Sequence, residues 1–179
     1  MSETQFTYEK IGVIRTPFDS PTEMPIQPAG AKDVSGTVTI EDQYKRGLKD
    51  LAGFSHCILL YHFHESPDTT PLEVEPFLDT EGRGIFATRA PVRPNRIGLS
   101  VVEIEGIRDS ELTVRGIDVV DRTPLLDIKP FVPAFDVPDD AETGWFNASD
   151  STVQSMESDE RFHTTGRKLL NNLATRSGE

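Results

Sequence analysis

Four arginines lie close together in one Pro- and Gly-rich segment, residues 82–98, whose sequence is GRGIFATRAPVRPNRIG. No acidic residue occurs between Glu81 and Glu103, although the whole chain carries a formal charge of −12. The planar guanidinium of arginine binds two oxygens of a phosphate or carboxylate at once. The segment therefore predicts an anion-binding site. The alternative is a solvated loop whose cations offset nearby acids.

Three histidines form the second group of side chains that could do chemistry. His56, His62 and His64 fall at even positions of one apolar run, so they share a face if the run is a strand. A His-x-His pair on a strand can chelate a metal when further ligands come from elsewhere. The sequence shows no third and fourth ligand with a metal-binding spacing. An imidazole that faces a pocket, as a hydrogen-bonding group or base near neutral pH, is the favoured interpretation.

Two further segments combine polar side chains with stiff backbone. In the loop Met24–Gly30, prolines flank Gln27 and hold its two-way hydrogen-bonding side chain in place. Residues 121–124 read Asp-Arg-Thr-Pro, which is a natural turn because the Asp side chain can bond backbone N–H groups beyond it. Asp127 and Lys129 follow on one face of a predicted strand. A carboxylate here could favour a cation such as a sulfonium, or accept a proton.

The elements that must position these residues are short and mostly β. Alternating and β-branched runs predict seven strands, whereas apolar spacing near 3.6 predicts two helices. The predicted strands are Phe6–Ile14, Gly36–Ile40, Phe54–His64, Ile85–Thr88, Ile97–Ile107, Glu111–Val120 and Leu125–Val132, and the predicted helices are Glu41–Leu51 and residues 161–176. Many short strands and few helices favour a mostly antiparallel barrel or closed sheet. No G-x-G-x-x-G motif follows a strand, which argues against a Rossmann domain.

Composition limits the classes of protein further. A chain of 179 residues with 36% hydrophobic residues favours one domain with a single core. No apolar run approaches the roughly 20 residues that span a bilayer, and the polar start lacks a signal-peptide pattern. The single cysteine, Cys57, excludes an internal disulfide. The strong negative charge argues against nonspecific coating of nucleic acid but allows a local basic site. We therefore expect an intracellular protein without a membrane span.

Five motifs occur in the order in which one known family carries them. They read IGVIRTPF, PIQPAG, GLKDLAGFSHCILLYHFH, GIFATRAPVRPNRIGLSVVEI and DVVDRTPLLDIKPFVPAFD, and the region of resemblance covers roughly residues 8–136. The fourth and fifth motifs are too specific for a chance match to both. On these residues the chain resembles the TsaA-like family, also called TrmO or YaeB.

The resemblance implies a mainly β fold, a single-sheeted β-barrel with a few short helices and a C-terminal helix. Residues 1–140 would form the barrel domain. Residues 141–179 would form an acidic linker and a helix packed on or beside the barrel. The family also implies a homodimer.

The implied activity is that of a tRNA methyltransferase in the cytoplasm that uses S-adenosylmethionine. It would methylate N6 of N6-threonylcarbamoyladenosine at tRNA position 37, with no role for DNA or a membrane. A non-catalytic S-adenosylmethionine-binding regulator is the first alternative. A metal-dependent hydrolase that uses His62 and His64 is the second.

The resemblance also implies roles for particular residues. The cofactor-binding positions would be Gln27, Pro28, Ala29, Phe63, His64, Glu65, Arg89, Leu99, Asp121, Arg122, Thr123, Pro124 and Leu125. The side chains available to contact RNA are Arg93, Arg96 and Lys129. Three side chains are candidates for a general base: Asp121, Asp127 and His64. The chain departs from the family pattern at Arg122, where glycine is usual, and at Phe131, where tyrosine is usual.

Overall fold

The fold is a closed β-barrel, as the sequence predicts. The computed structural model describes residues 5–22, 24–25, 28–146, 158–159 and 162, with side chains at 28 and 29 not described. Its strands are β1 (Gly12–Arg15), β2 (Ser35–Ile40), β3 (His56–His62), β4 (Glu73–Val74), β5 (Arg83–Gly84), β6 (Ile97–Arg108), β7 (Glu111–Arg115) and β8 (Thr123–Pro130). Four 3₁₀ helices and one α-helix, α1, accompany the described strands: Pro28–Ala31, Asp42–Leu48, Leu51–Gly53, Ile85–Ala87 and Pro133–Asp136.

The barrel closes through antiparallel pairs in the order β1-β2-β7-β6-β3-β8, with β8 returning to β1. Closure pairs the strand edges that an open sheet would leave exposed. A register shift between β3 and β8 places Leu60 opposite Asp127 but Tyr61 opposite Leu125. Such a bulge bends and twists the strand, and here it lies at the end of β3 where the polar residues begin.

The alternation of apolar residues along each strand explains the barrel interior. In β3 the side chains of Cys57, Leu59 and Tyr61 are buried, whereas those between them are partly exposed. Strand side chains point alternately to the two faces of a sheet, so one face of each strand fills the core. The core is made of Ile14, Val38, Ile40, Leu48, Leu51, Cys57, Leu59, Tyr61, Val102, Leu112, Val114, Ile117, Val119 and Leu125.

Several predicted elements differ in extent or type. The first strand begins at Gly12 rather than Phe6, and Phe6 and Tyr8 are exposed. The predicted strand Ile85–Thr88 is wrong, because Ile85–Ala87 form a 3₁₀ turn in which Thr88 donates its hydroxyl hydrogen bond to the Ile85 carbonyl. The predicted helix Glu41–Leu51 consists of two 3₁₀ turns. The predicted helix at residues 161–176 lies outside the described residues except for Phe162.

A second apolar cluster lies beside the barrel. It contains Ile85, Ala90, Val92 and Phe162, and the Phe162 ring meets the Phe77 ring edge-on at 5.0 Å. This cluster supports the Pro-rich part of the arginine segment. None of the described helices has the length and apolarity to span a lipid bilayer.

Candidate functional site

A cavity of about 810 Å³ lies at one end of the barrel. Because β3 runs antiparallel to β6 and β8, its C-terminal end meets their N-terminal ends, and residues from all three strands line the cavity. Residues outside the strands complete the described wall, among them Pro21, Met24, Pro25, residues 76–78, residues 87–91, Arg93, residues 118–120, Thr143, Trp145 and Phe146. The volume is within the range of pockets that hold a nucleotide-sized ligand, roughly 300–1,000 Å³.

A chain of polar side chains leads from the barrel interior to this cavity. Ser100 is fully buried and donates from Oγ to Oδ1 of Asp118 at 2.6 Å. The Tyr61 hydroxyl lies 3.0 Å from the same Oγ. Since serine has one hydroxyl proton and gives it to the carboxylate, Tyr61 must donate to Ser100. The chain therefore runs from Tyr61 through Ser100 to Asp118 and fixes the orientation of the Asp118 carboxylate.

Burial governs the electrostatics of this chain. It raises the pKa of Asp118 from 3.8 to about 6, against the opposing effects of the Ser100 hydrogen bond, the backbone N–H of Asp118 and the nearby Arg89. Burial and the Asp118 charge also raise the pKa of Tyr61 well above its usual value, so Tyr61 remains a proton donor. The neutral hydroxyls of Tyr61 and Ser100 therefore lead to a carboxylate, that of Asp118, which is more basic than an ordinary aspartate.

The raised pKa of Asp118 predicts a pH-dependent stability. The folded state holds the proton more tightly than the unfolded state, so the contribution of Asp118 to stability declines as pH rises from 3.8 through about 6. Asp118→Asn removes the buried charge and keeps an oxygen that can accept from Ser100. We expect it to raise the free energy of unfolding of the unliganded protein at pH 8 by up to about 3 kcal/mol, since about two pKa units correspond to about 1.4 kcal/mol each.

Urea unfolding of both proteins between pH 5 and pH 8 measures this difference. The gain should be smaller at pH 5 than at pH 8, because Asp118 is then mostly protonated in the folded wild-type protein. A gain that does not change with pH would contradict the assignment.

Among the described residues, three of the four arginines of residues 82–98 have hydrogen-bond or ion-pair partners and one has none. Arg83 pairs with Asp79 and Glu81 at 2.7 and 2.9 Å. Arg93 donates from Nη1 to the Thr88 and Ala90 carbonyls at 3.1 and 3.4 Å.

Arg96 donates to the Ser66 carbonyl and pairs with Asp68, which lowers the pKa of Asp68. Arg89 is exposed, lines the cavity and makes no hydrogen bond or ion pair with any described residue. It is therefore the guanidinium in this segment that is available to an anion.

Aromatic rings and a pair formed by a carboxylate and an imidazole complete the described lining. Phe63, Phe77, Trp145 and Phe146 present ring faces or edges to the cavity. The Trp145 indole N–H donates to the Ala87 carbonyl at 2.8 Å, and Arg83 lies 5.6 Å from the centre of its ring. At the other side Glu65 lies 3.5 Å from Nε2 of His64. Flat apolar rings, a cation and carboxylates suit a ligand that has a purine base, a carboxylate and positive charge.

The structure brings together part of the predicted site. Six predicted cofactor-binding residues line the cavity, and one residue predicted to contact RNA lines it with them: Phe63, His64, Glu65, Arg89, Leu99, Thr123 and Arg93. Thr123 is buried, donates to the Val120 carbonyl at 2.6 Å and lies 3.4 Å from Nδ1 of His64. That contact holds the His64 ring at the cavity wall.

Other predicted residues lie next to the cavity but outside its lining. Asp121 accepts a hydrogen bond from the Thr16 backbone N–H at 3.1 Å and pairs with Arg15 and Arg122. Its position ties β1 to the turn before β8. Arg122 has φ 61°, in the left-handed region that favours glycine. The turn therefore has a backbone conformation that glycine adopts more readily than arginine.

The remaining predicted residues lie along β8 or beyond it. Leu125 is fully buried in the core, and Pro124 precedes it outside the lining. Asp127 and Lys129 share a face, as predicted, and pair at 2.7 Å. Phe131 lies beside His56, the first residue of β3, so this departure from the family pattern is at the opposite end of that strand from the cavity.

Three predicted cofactor-binding residues belong to the loop Met24–Gly30. Gln27 lies outside the described residues, and of Pro28 and Ala29 the structure describes the backbone of a 3₁₀ turn. Within the described residues, no cluster of three or more His, Cys, Asp and Glu side chains could hold a metal ion.

Asp118 is the functional candidate that sequence reasoning missed. Asp118 falls inside the predicted strand Glu111–Val120, but β7 ends at Arg115. The signal was an aspartate between two apolar residues that are both buried, Ile117 and Val119. Aspartate is disfavoured in strands, so its presence in such a run indicates a bend and a partnered carboxylate.

Comparison with known proteins agrees with the motif pattern. Residues 13–137 match the model of the tRNA-methyltransferase O N-terminal domain family. A probable S-adenosyl-L-methionine-binding protein from Pyrococcus abyssi is 46% identical over 155 residues, covering 87% of this chain and 84% of that protein. The tRNA (adenine(37)-N6)-methyltransferase of Escherichia coli is 35% identical over 162 residues, covering 86% of this chain and 69% of that enzyme.

A solved structure shows the same fold. The crystal structure of TrmO from Pseudomonas aeruginosa superimposes with a TM-score of 0.68 at 36% sequence identity, covering 80% of this chain. The match covers 64% of the P. aeruginosa chain, so that structure extends beyond what the two proteins share.

Proposed function

Because the chain belongs to the tRNA-methyltransferase O N-terminal domain family, we propose that it is an S-adenosylmethionine-dependent tRNA methyltransferase. Its acceptor is N6 of N6-threonylcarbamoyladenosine at tRNA position 37. The E. coli relative is named for methylation of N6 of adenine 37, and the P. abyssi relative is named for S-adenosylmethionine binding. The observation in the structure that carries the proposal is a nucleotide-sized cavity that holds the partly buried Asp118 together with Arg89, which makes no hydrogen bond or ion pair with any described residue.

The residues of the cavity fit S-adenosylmethionine by their chemistry. Aromatic rings such as Phe63 can stack on an adenine, and Arg89 can bind a carboxylate. Glu65 and Asp118 are the described carboxylates of the lining, and Glu65, the more exposed of the two, favours the cofactor's positive charges. When bound, S-adenosylmethionine supplies an electrophilic methyl group on a cationic sulfur. The chain's own residues orient the acceptor, exclude water and hold the proton that the acceptor loses, which together can supply much of the acceleration.

Recognition of tRNA requires positively charged side chains that are not engaged by the cofactor. Arg93 and Arg96 are the proposed contacts near the cavity, and Lys129 is the proposed contact on β8. The partners described above for these three leave side-chain N–H groups that can also meet a phosphate. The negative body limits nonspecific binding, so binding of tRNA should depend on a few contacts around the cavity.

A homodimer and a cytoplasmic location belong to the same proposal. Exposed apolar side chains outside the cavity lining, including Phe86 and Leu72, supply surface that a second copy can cover. A tRNA substrate requires a compartment in which tRNA is present. Analytical ultracentrifugation of the purified protein tests the dimer.

The activity is tested with purified protein, methyl-labelled S-adenosylmethionine and two preparations of the same tRNA. One preparation carries threonylcarbamoyladenosine at position 37 and the other carries unmodified adenosine. We expect label in the modified tRNA alone, with a mass increase of one methyl group on that nucleoside. Binding of S-adenosylmethionine by calorimetry without transfer to either tRNA would instead support the regulatory alternative.

A further inference from the structure

We propose that Asp118 is the catalytic base, which accepts the proton that the N6 nitrogen loses as it is methylated. The inference rests on the proposed function, because it assigns a residue to the proton transfer within that reaction. None of the comparisons assigns a role to this aspartate. It is carried by the position of Asp118 in the cavity wall and by the fixed direction of its carboxylate.

The chemistry of the acceptor requires a base. The N6 nitrogen of threonylcarbamoyladenosine is bonded to both the purine ring and a carbonyl carbon, so its lone pair is delocalised until the proton leaves. In the balanced step the N–H bond breaks and its proton goes to Asp118, while nitrogen forms a bond to the methyl carbon. The carbon–sulfur bond breaks with its electron pair remaining on sulfur, and Asp118 later releases its proton to water.

Geometry favours Asp118 over the other described carboxylates. Glu65 also lines the cavity, but its side chain is 57% exposed and lies beside His64. Asp121 receives the Thr16 N–H and two arginines, and Asp127 pairs with Lys129. Asp118 is partly buried, lines the cavity and is aligned by Ser100 through a short hydrogen bond.

The surroundings of Asp118 also suit proton transfer. Among the described residues, the charged and titratable side chains that interact with Asp118 are Arg89 from residues 82–98 and Tyr61 from β3. Burial raises the pKa of Asp118 to about 6 while Arg89 opposes the rise. At neutral pH the carboxylate is therefore ionised and still more basic than an ordinary aspartate, which is the property that a general base needs.

Asp118→Asn tests the proposal, with Asp109→Asn as the matched control. Asp109 is exposed in the turn after β6, at the opposite end of that strand from Leu99, and its φ of 54° is tolerated by asparagine. We expect the single-turnover rate of methyl transfer to fall about 10²–10⁴-fold in Asp118→Asn. Binding of S-adenosylmethionine, measured by calorimetry, should remain within a few-fold of wild type, and Asp109→Asn should match wild type in both.

The pH dependence separates a base from a structural residue. The wild-type rate should rise with pH through an apparent pKa near 6, and Asp118→Asn should lose this acidic limb. Ser100→Ala removes a hydrogen bond that stabilises the ionised carboxylate, so it should move the limb to higher pH. Both changes in the pH profile can be measured as long as the variants are folded. Thermal unfolding of each unliganded variant checks that they are.

Each outcome decides the proposal. Transfer by Asp118→Asn within about threefold of wild type would overturn the role of Asp118 and leave the proposed function standing. A loss of methyl transfer that is explained by weaker cofactor binding would assign Asp118 to cofactor binding and would also overturn its role as the base. Failure of wild type and Asp109→Asn to transfer methyl to either tRNA would overturn the proposed function together with this inference.

Discussion

Arg89→Ala is expected to weaken binding of S-adenosylmethionine by about 10–150-fold without lowering the melting temperature. The range corresponds to the roughly 1.5–3 kcal/mol that a hydrogen bond to a charged group contributes. Arg89 lines the cavity and has no hydrogen bond or ion pair to any described residue, so its removal breaks no described hydrogen bond or ion pair within the fold. Calorimetry with S-adenosylmethionine and thermal unfolding of the unliganded protein measure the two effects.

Arg93→Ala is the matched control, because it removes the same charge from the same segment. Arg93 bonds two carbonyls of its own loop, at Thr88 and Ala90, so its loss should lower the melting temperature. If Arg89→Ala lowered the melting temperature and left cofactor binding unchanged, Arg89 would be a structural residue. If it weakened only tRNA binding, the anion that it meets would belong to the RNA.

The contrast between Arg89 and Arg93 shows where sequence reasoning ends. Composition identified residues 82–98 as basic, and arginine chemistry identified an anion as the ligand. Arg83 pairs with acids two and four residues away, but the partners of the other two engaged arginines are distant in sequence or are backbone carbonyls, such as Asp68 for Arg96 and Thr88 for Arg93. Neither kind of partner leaves a pattern in one sequence.

Strands with strong alternation were predicted well, and elements near the cavity were not. The predicted strands at Gly36–Ile40 and Ile97–Ile107 correspond to β2 and β6, because period-2 burial fixes both their type and their facing. Ile85 and Phe86 have β-forming side chains, but Ile85–Ala87 bend into a 3₁₀ turn. Ile85 there packs into the apolar cluster with Val92 and Phe162, so tertiary packing decides the local structure.

Asp118 was missed for a related reason. Its environment depends on Ser100 and Tyr61, which two other strands bring to the same end of the barrel. The sequence contains all three residues, but their juxtaposition follows from strand order and register. Residues that a motif places in one segment were therefore predicted more completely than residues that the barrel assembles.

Gly98→Ala is expected to damage both the fold and the site. Gly98 lies opposite Tyr61 in the β3–β6 pairing, and an added Cβ would lie 2.6 Å from Cζ of Tyr61 and 2.8 Å from Cζ of Phe63. The Tyr61 ring is buried and packs edge-on against Phe63 at 5.5 Å, so it has no free space to enter. Overpacking of this kind costs about 1–3 kcal/mol, which lowers the melting temperature by about 2–12 °C in a chain of this size.

Gly106→Ala distinguishes this effect from the general cost of changing glycine in a strand. It lies on the same strand, has no unusual φ, and an added Cβ there would meet no atom within 4 Å. Thermal unfolding should therefore show a loss for Gly98→Ala and little change for Gly106→Ala. Equal melting temperatures for the two variants would contradict the close packing of Gly98 against Tyr61.

Because Tyr61 donates to Ser100, displacement of its ring also disturbs the alignment of Asp118. Methyl transfer by Gly98→Ala, measured well below its melting temperature, should for that reason fall even where the protein remains folded.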